Sequence, residues 1–468
     1  MTDIRSLDFM SGVRLGCTGD MSTPLVLLGN VEVEREWAHG ESGVPTVGDN
    51  APSAVVARMD ELALLLGGVD DHVILKTAPD PGYLDYLRGL GLALPQVEVT
   101  DQCRPAVTVT HEALDSEQLI KRLRALEGAP RLLPHGMSEA EEELCRRAGL
   151  EPALPSAAVS KRVNSKIYSR RAAAELGIPL AEGWECESVA AFEAALEKAA
   201  AHLAEGRTVG VKDAYGVSGK GIVVADRVRR LEQLTRMIRR RAERTGDDRL
   251  SVVVEVWADK AADLNYHFTV GRDGSVRFDF VKEALTDGGV HKGHRFPARL
   301  TPEQVAEIED TAHRIGGRLA EDGYHGPVGV DAIVCGDGSL LPLLEINARN
   351  NMSTYQTRVQ ETCVPAGSVM VARQYDLRMP APVGFARLAD ALGDALFRRE
   401  TGRGALVNNY ATVNAGFAAT DAPATDKPAT DTPADGRFYL MLVAAVQAEV
   451  DALDATVADR LAEFGEPR

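Results

Sequence analysis

One stretch constrains this chain more than any other: GPVGVDAIVCGDGSLLPLLEINARN, residues 326–350. Two runs rich in Val, Ile and Leu flank Gly336–Gly338, the signature of a β-hairpin. Glu345 and Asn347 are two apart, so their side chains leave the strand on one face. With the turn centred on Asp337, Asp331 lies opposite about residue 343 and shares that face. A carboxylate set within LLPLLEI needs a partner, because an unpaired charge is costly away from water. Two readings stand side by side: a polar strand face meeting solvent, or two carboxylates and an amide oxygen converging on a cation. Such hard oxygen donors suit Mg²⁺, which usually keeps waters and bridges to phosphates.

The segment before this hairpin, about 156–375, carries further candidates. TVGVKDAYGVSGKGIVVAD reads as strand, glycine-containing loop, strand. Gly216, Ser218, Gly219 and Lys220 lie in that loop, where glycines allow close approach and exposed amides can cradle phosphate oxygens. It is not a Walker loop, because a strand follows instead of a helix. Lys212 sits inside the apolar run VGVKD, and a buried lysine calls for an anion. Lys166 opens the helix that follows Asn164-Ser165 and stops at Gly177. VVVEVW ends at Glu255-Val256-Trp257, where a carboxylate and backbone groups could meet a base edge, and Asp263 follows. Arg349 trails the metal-type residues, and Arg295 lies in HKGHRFP. Either could hold a carboxylate or acyl phosphate bidentately. His291 and His294 form HxxH without further ligands, a poor zinc site.

On either side lie simpler patterns. In residues 1–155, PLVLLGN, DHVILK and VEVTD are strand-like and alternate with helical runs such as SAVVARMDELALLLG, predicting a small parallel-sheet α/β domain. Residues 1–20 read as a polar leader without fixed structure. Residues 376–468 read as a small α+β region, GALVNNYATVN and GRFYLMLVAAV being strands and AEVDALDATVADRLAEF a helix. Between those strands, the Ala-Thr-Asp and proline repeats over 418–437 predict a flexible insertion.

Bulk properties narrow the function classes. The 468 residues carry a net charge of −17, which opposes non-specific nucleic-acid binding. No run of about 18 apolar residues predicts a membrane span. The six cysteines are scattered without a CxxC, arguing against a disulfide framework or structural zinc and for a reducing, cytoplasmic setting.

Taken in order, the NSK helix, Lys212 with the glycine-rich hairpin, the VVVE strand and D…LEINAR resemble the ATP-grasp superfamily. The resemblance covers about 156–360, and Ala348 stands where many members carry proline. It implies a two-lobed α+β fold with the glycine-rich hairpin as a lid over ATP. It further implies that Lys166 and Lys212 contact phosphates, Glu255 and the backbone of Val256 and Trp257 hold adenine, and Asp263 holds ribose. Asp331, Glu345 and Asn347 would bind Mg²⁺, and Arg349 the acyl phosphate. The whole layout is similar to pheganomycin-type peptide ligases, which carry a pre-ATP-grasp domain. That similarity implies an ADP-forming carboxylate–amine ligase acting on amino acids or peptides in natural-product biosynthesis, with a homodimer as the expected assembly. Competing expectations are an ATP-grasp kinase or carboxylase, and a non-catalytic nucleotide-binding protein.

Overall fold

A computed structural model describes residues 7–45, 53–104, 107–216, 221–287, 290–417 and 433–464. Its mixed α/β architecture matches the fold class expected above. Among the described residues the strands form three sheets. The first is parallel, in the order β3-β2-β1-β4-β5, from β1 (Leu25–Leu28), β2 (His72–Leu75), β3 (Gln96–Val99), β4 (Arg131–Pro134) and β5 (Glu151–Pro152). β1 and β2 are buried throughout, as apolar runs in a sheet covered on both faces should be. The second sheet is antiparallel, β6-β9-β7-β8, from β6 (Gly183–Ser188), β7 (Val209–Asp213), β8 (Ile222–Ala225) and β9 (Arg249–Val256).

The third sheet has eight strands in the order β14-β13-β10-β11-β12-β15-β17-β16. They are β10 (Lys260–Val270), β11 (Val276–Asp287), β12 (Val290–Phe296), β13 (Gly326–Cys335), β14 (Leu340–Asn347), β15 (Val369–Met379), β16 (Gly404–Asn409) and β17 (Ala434–Ala444). β15 runs straight through residues 375 and 376, and the C-terminal strands extend the sheet that holds the hairpin. One apolar cluster joins the N-terminal helix, β1, β2, the Met352–Cys363 helix and β15–β17. Glu61 ties the two ends of the chain together. Its buried carboxylate accepts from the amides of Tyr410 at 2.7 Å and Ala411 at 2.8 Å, and burial pushes its pKa up to about 7.

Three local readings are corrected. Residues 1–20 are not wholly a leader: Phe9–Thr18 form a helix capped by Asp8 and closed at Gly19 with φ 81°. Its apolar face is broken in sequence by Gly12 and Gly16, whose missing Cβ atoms admit Arg277 and Thr269. Phe9, Met10, Val13 and Cys17 are buried. Phe9→Ala is therefore expected to cost about 3–5 kcal/mol in urea unfolding; a loss under ~1 kcal/mol would place this helix outside the core. SAVVARMDELALLLG forms a 3₁₀ helix over Val56–Leu65, buried along nearly its whole length. The insertion read over 418–437 ends earlier. Ala434–Arg437 already pair with Asp376–Met379, while 418–432 lie outside the described residues.

Candidate active site

The hairpin β13–β14 departs from a simple turn-centred register. Near the turn, Ile333 faces Leu341 as counting from Asp337 demands, but an irregularity between Asp331 and Ile333 shifts the pairing beyond it. Asp331 then faces Glu345, not residue 343, so the two carboxylates are direct cross-strand partners. Asn347 donates from Nδ2 to Asp331 Oδ2 at 3.2 Å. Lys166 Nζ donates to Glu345 Oε1 at 2.7 Å and to the carbonyl of Gly216 at 2.9 Å. This lysine reaches the hairpin because Ser169, one turn on, accepts the Ile346 amide at 3.0 Å and pins its helix to β14. Burial, and then the neighbouring Glu345, push the Asp331 carboxyl up to about 6. A like-charge pair in a buried place favours any cation brought to it.

The donor chemistry fits Mg²⁺. Among the described residues no group of three His, Cys, Asp or Glu is placed to hold a metal ion by itself. Two carboxylates and one amide are what a hard cation needs when it also carries waters and phosphate oxygens.

Arg349 closes the other side of this cluster. It donates to Asn347 Oδ1 at 2.9 Å and forms an ion pair with Glu34, from the helix Val33–Ala38 that follows β1. The N-terminal domain thus reaches the cluster through a residue that the sequence did not single out. His135, at the end of β4, is a second such residue. Its carbonyl accepts the Asn350 amide at 2.9 Å, and its Nδ1 lies 2.7 Å from the Tyr355 hydroxyl. Burial, with Arg349 adding to it, holds His135 well below the usual imidazole range, so it is neutral at physiological pH. Arg349 Nε is buried without a hydrogen-bond partner.

The β9 end is arranged around a buried charge cluster. Glu255 Oε1 accepts from Lys212 at 2.6 Å and Oε2 from Arg170 at 3.0 Å. Arg170 also holds Glu185 at 2.9 Å. Glycines flank Glu255 on both neighbouring strands, Gly183 on β6 and Gly210 on β7. A Cβ at Gly210 would strike the Trp257 ring, and one at Gly183 the Val254 carbonyl. Trp257 can thus fold over β7, with Lys212 Nζ 5.1 Å from its ring centroid. The amides of Val256 and Trp257 donate to the carbonyls of Glu182 and Thr208, each at 2.8 Å. Both amides are thus engaged within the protein. Their acceptors lie immediately before β6 and β7.

Asp263 lies on the same face of β10 as Asn265, two residues nearer Trp257, and accepts from Lys260 and Thr286, each at 2.6 Å. Arg295 is not brought to the cluster. Lys282, Asn265, Asp331 and Glu345 form one cross-strand row, and Arg295 pairs with Glu283, the residue next to Lys282. Strand alternation puts Arg295 on the opposite face. There it donates to Gln447 at 2.9 Å and to the Pro297 carbonyl. Of the loop candidates, Gly216 is described; Ser218, Gly219 and Lys220 lie outside the described residues. The base of that loop is fastened to the N-terminal segment, since Asp213 Oδ1 accepts the Val44 amide at 2.5 Å.

Known proteins match this arrangement at three levels. Residues 59–150 match the pre ATP-grasp domain family. The [butirosin acyl-carrier protein]–L-glutamate ligase of Niallia circulans is 27% identical over 325 residues, 69% of this chain and 71% of that protein. The L-propargylglycine–L-glutamate ligase of Streptantibioticus cattleyicolor is 30% identical over 321 residues. That match spans 63% of this chain and 66% of the relative, so just under two thirds of its length is covered. Among solved structures, biotin carboxylase from Campylobacter jejuni superposes with a TM-score of 0.51 at 12% identity, over 87% of this chain and 89% of that one. Among the described residues no helix is long and apolar enough to cross a membrane. With a pre ATP-grasp domain match ahead of the carboxylate hairpin, and two ligases similar to it over 69% and 63% of its length, the chain is similar to ATP-dependent C–N ligases that carry a pre-ATP-grasp domain.

Proposed function

We propose that this ligase activates the carboxylate of an amino acid or small peptide as an acyl phosphate and transfers the acyl group to an amine, in the cytoplasm and within natural-product biosynthesis. The observation that supports it most is the meeting of Asp331, Glu345 and Asn347 beside Lys166 and Arg349. In this reading Asp331, Glu345 and Asn347 would hold Mg²⁺, which when bound neutralises phosphate charge and fixes the reacting phosphate. Lys166 and Lys212 hold ATP phosphates, exchanging their carboxylate partners for phosphate oxygens. The β9 end, Glu255–Trp257, forms the wall of the adenine site, and Asp263 takes the ribose.

The chemistry has two steps. A carboxylate oxygen of the substrate attacks the γ-phosphorus of ATP, and ADP leaves. The amine nitrogen then attacks the acyl carbon, the C–O bond to phosphate breaks, and the amine gives up a proton. Arg349 steadies the negative charge on the acyl phosphate and on the tetrahedral adduct.

L-glutamate is named in both relatives, so it heads a screen of amino acids and peptides for substrate-dependent ADP and phosphate release. Hydroxylamine in place of the amine should yield the hydroxamate of the activated acid. ADP release from an accepted acid with no hydroxamate would exclude an acyl phosphate and leave simple phosphorylation or carboxylation. Lys212→Met is expected to raise the KM for ATP about tenfold, the equivalent of ~1.4 kcal/mol of phosphate contact. An unchanged KM would remove Lys212 from the nucleotide site.

A further inference from the structure

The row that contains Asp331 and Glu345 continues inward to Asn265, a buried residue on β10. Both ends of its amide are engaged. Nδ2 donates to Asp331 Oδ1 at 2.9 Å. Oδ1 accepts from Asn351 Nδ2 at 3.3 Å and from the Ser353 hydroxyl at 2.8 Å. Those two partners sit at the start of the helix Met352–Cys363, where Asn351 is the cap and accepts the Thr354 amide at 3.1 Å. Donors on the helix side thus fix the amide's orientation and leave its N–H₂ directed at the carboxylate. Gly329, on β13 between Asn347 and His267, makes the bridge possible, since a Cβ there would collide with Asn351 Nδ2.

The same network runs on. Thr354 Oγ1 lies 3.3 Å from His267 Nε2, and His267 Nδ1 lies 3.0 Å from Asp279. Asp279 accepts from Arg277 at 2.7 Å, and Arg277 donates to the carbonyls of Asp8 and Phe9 at the start of the first helix. Every one of these links is buried or partly buried, apart from the exposed bond to Asp8.

From this arrangement we infer that Asn265 is a positioning residue for the cation site: it binds one oxygen of Asp331 and turns the carboxylate so that the rest of its acceptor capacity faces Glu345. The inference rests on the metal reading of Asp331, Glu345 and Asn347. Asn265 touches neither phosphate nor substrate in this scheme; it acts through Asp331. Outer partners that orient a metal-binding carboxylate are worth about 10–100-fold in metal affinity.

Electron paramagnetic resonance of Mn²⁺, titrated with a β,γ-methylene ATP analogue present, measures the site without turnover. Asn265→Leu and Asn265→Ala are expected to weaken Mn²⁺ binding roughly 10–100-fold, with a changed Mn²⁺ spectrum. Circular dichroism and thermal melting establish which variants are folded, and one folded variant suffices. Wild-type Mn²⁺ affinity in that variant, with only a lowered melting temperature, would overturn the inference and leave Asn265 a packing residue. Glu345→Gln is titrated beside them. Loss of Mn²⁺ there but not in the Asn265 variants would sink the inference alone. Retention of Mn²⁺ in Glu345→Gln would sink the metal reading itself.

Discussion

Replacing Glu345 by glutamine should reduce Mg²⁺-dependent ADP release on the order of 10²–10³-fold while the protein stays folded. The substitution keeps the side chain's shape but removes the charge that faces Asp331 and binds Lys166. Loss of one anionic cation ligand removes about 3–4 kcal/mol of stabilisation from the reacting phosphate, and each ~1.4 kcal/mol is a factor of ten in rate. The fold should tolerate the change, because the side chain of Glu345 is 24% exposed and no longer repels Asp331. The sign for Asp331 follows. Its carboxyl is raised to about 6 with Glu345 as the second cause, so removing that charge should lower it. ADP release measured by a coupled assay at saturating ATP and Mg²⁺ checks the first point. Turnover within about threefold of wild type would remove Glu345 from the metal set, since even a weak ligand is worth ~1 kcal/mol.

Arg349→Ala should produce two separable losses. On activity, removing a charged donor from the acyl phosphate and the adduct is expected to cost roughly 10²–10³-fold in kcat. On stability, the change strands Glu34, whose pKa burial already raises, with Arg349 as the largest opposing influence. Breaking a largely buried pair from one side costs about 3–5 kcal/mol. The double variant Glu34→Gln with Arg349→Met separates the two. It removes both charges and should recover most of the unfolding free energy, because a neutral pair needs no counter-charge. It should recover none of the turnover. Full activity in either Arg349 variant would take the residue out of the chemistry. Stability restored together with activity would make it a structural tie between the N-terminal domain and the hairpin.

Much of this arrangement was legible because its signals are local. The strand runs LVLL, HVIL and VVVEV announce themselves by composition, and the spacing of Glu345 and Asn347 fixes their common face from pleat geometry alone. Lys166 could be placed at a helix start from Asn164-Ser165 and Gly177, and the structure has Ser165 as the cap and Gly177 at φ 61°. What stayed hidden depended on distant partners. A register shift inside β13–β14 put Glu345, not residue 343, across from Asp331, and counting from a turn cannot see such an irregularity. Arg295 looked apt because arginines bind phosphates, but its face is set by pairing with Glu283 on a strand joined through a loop whose path the sequence leaves open. Glu34 and His135 lie more than 200 residues before Arg349 and Tyr355, with no short pattern linking them. The first helix was missed because two glycines, needed for Arg277 and Thr269 to approach, dilute its apolar stripe.

The sheet that begins at the carboxylate hairpin ends at Gly404–Asn409, and the apolar residues of its β15–β17 end are shared with the first helix and the parallel sheet. Anyone recombining such ligases to change what they join therefore cannot exchange the front third as a cassette. A grafted N-terminal portion must arrive with a matching tail: its buried acid at position 61 has to find the 410–411 amides, and its Glu34 has to meet an arginine in the host. Chimeras that cross over in one place would mismatch at the tail, whereas those that exchange the two termini together keep the Glu61 contacts and need only an arginine at position 349 of the host.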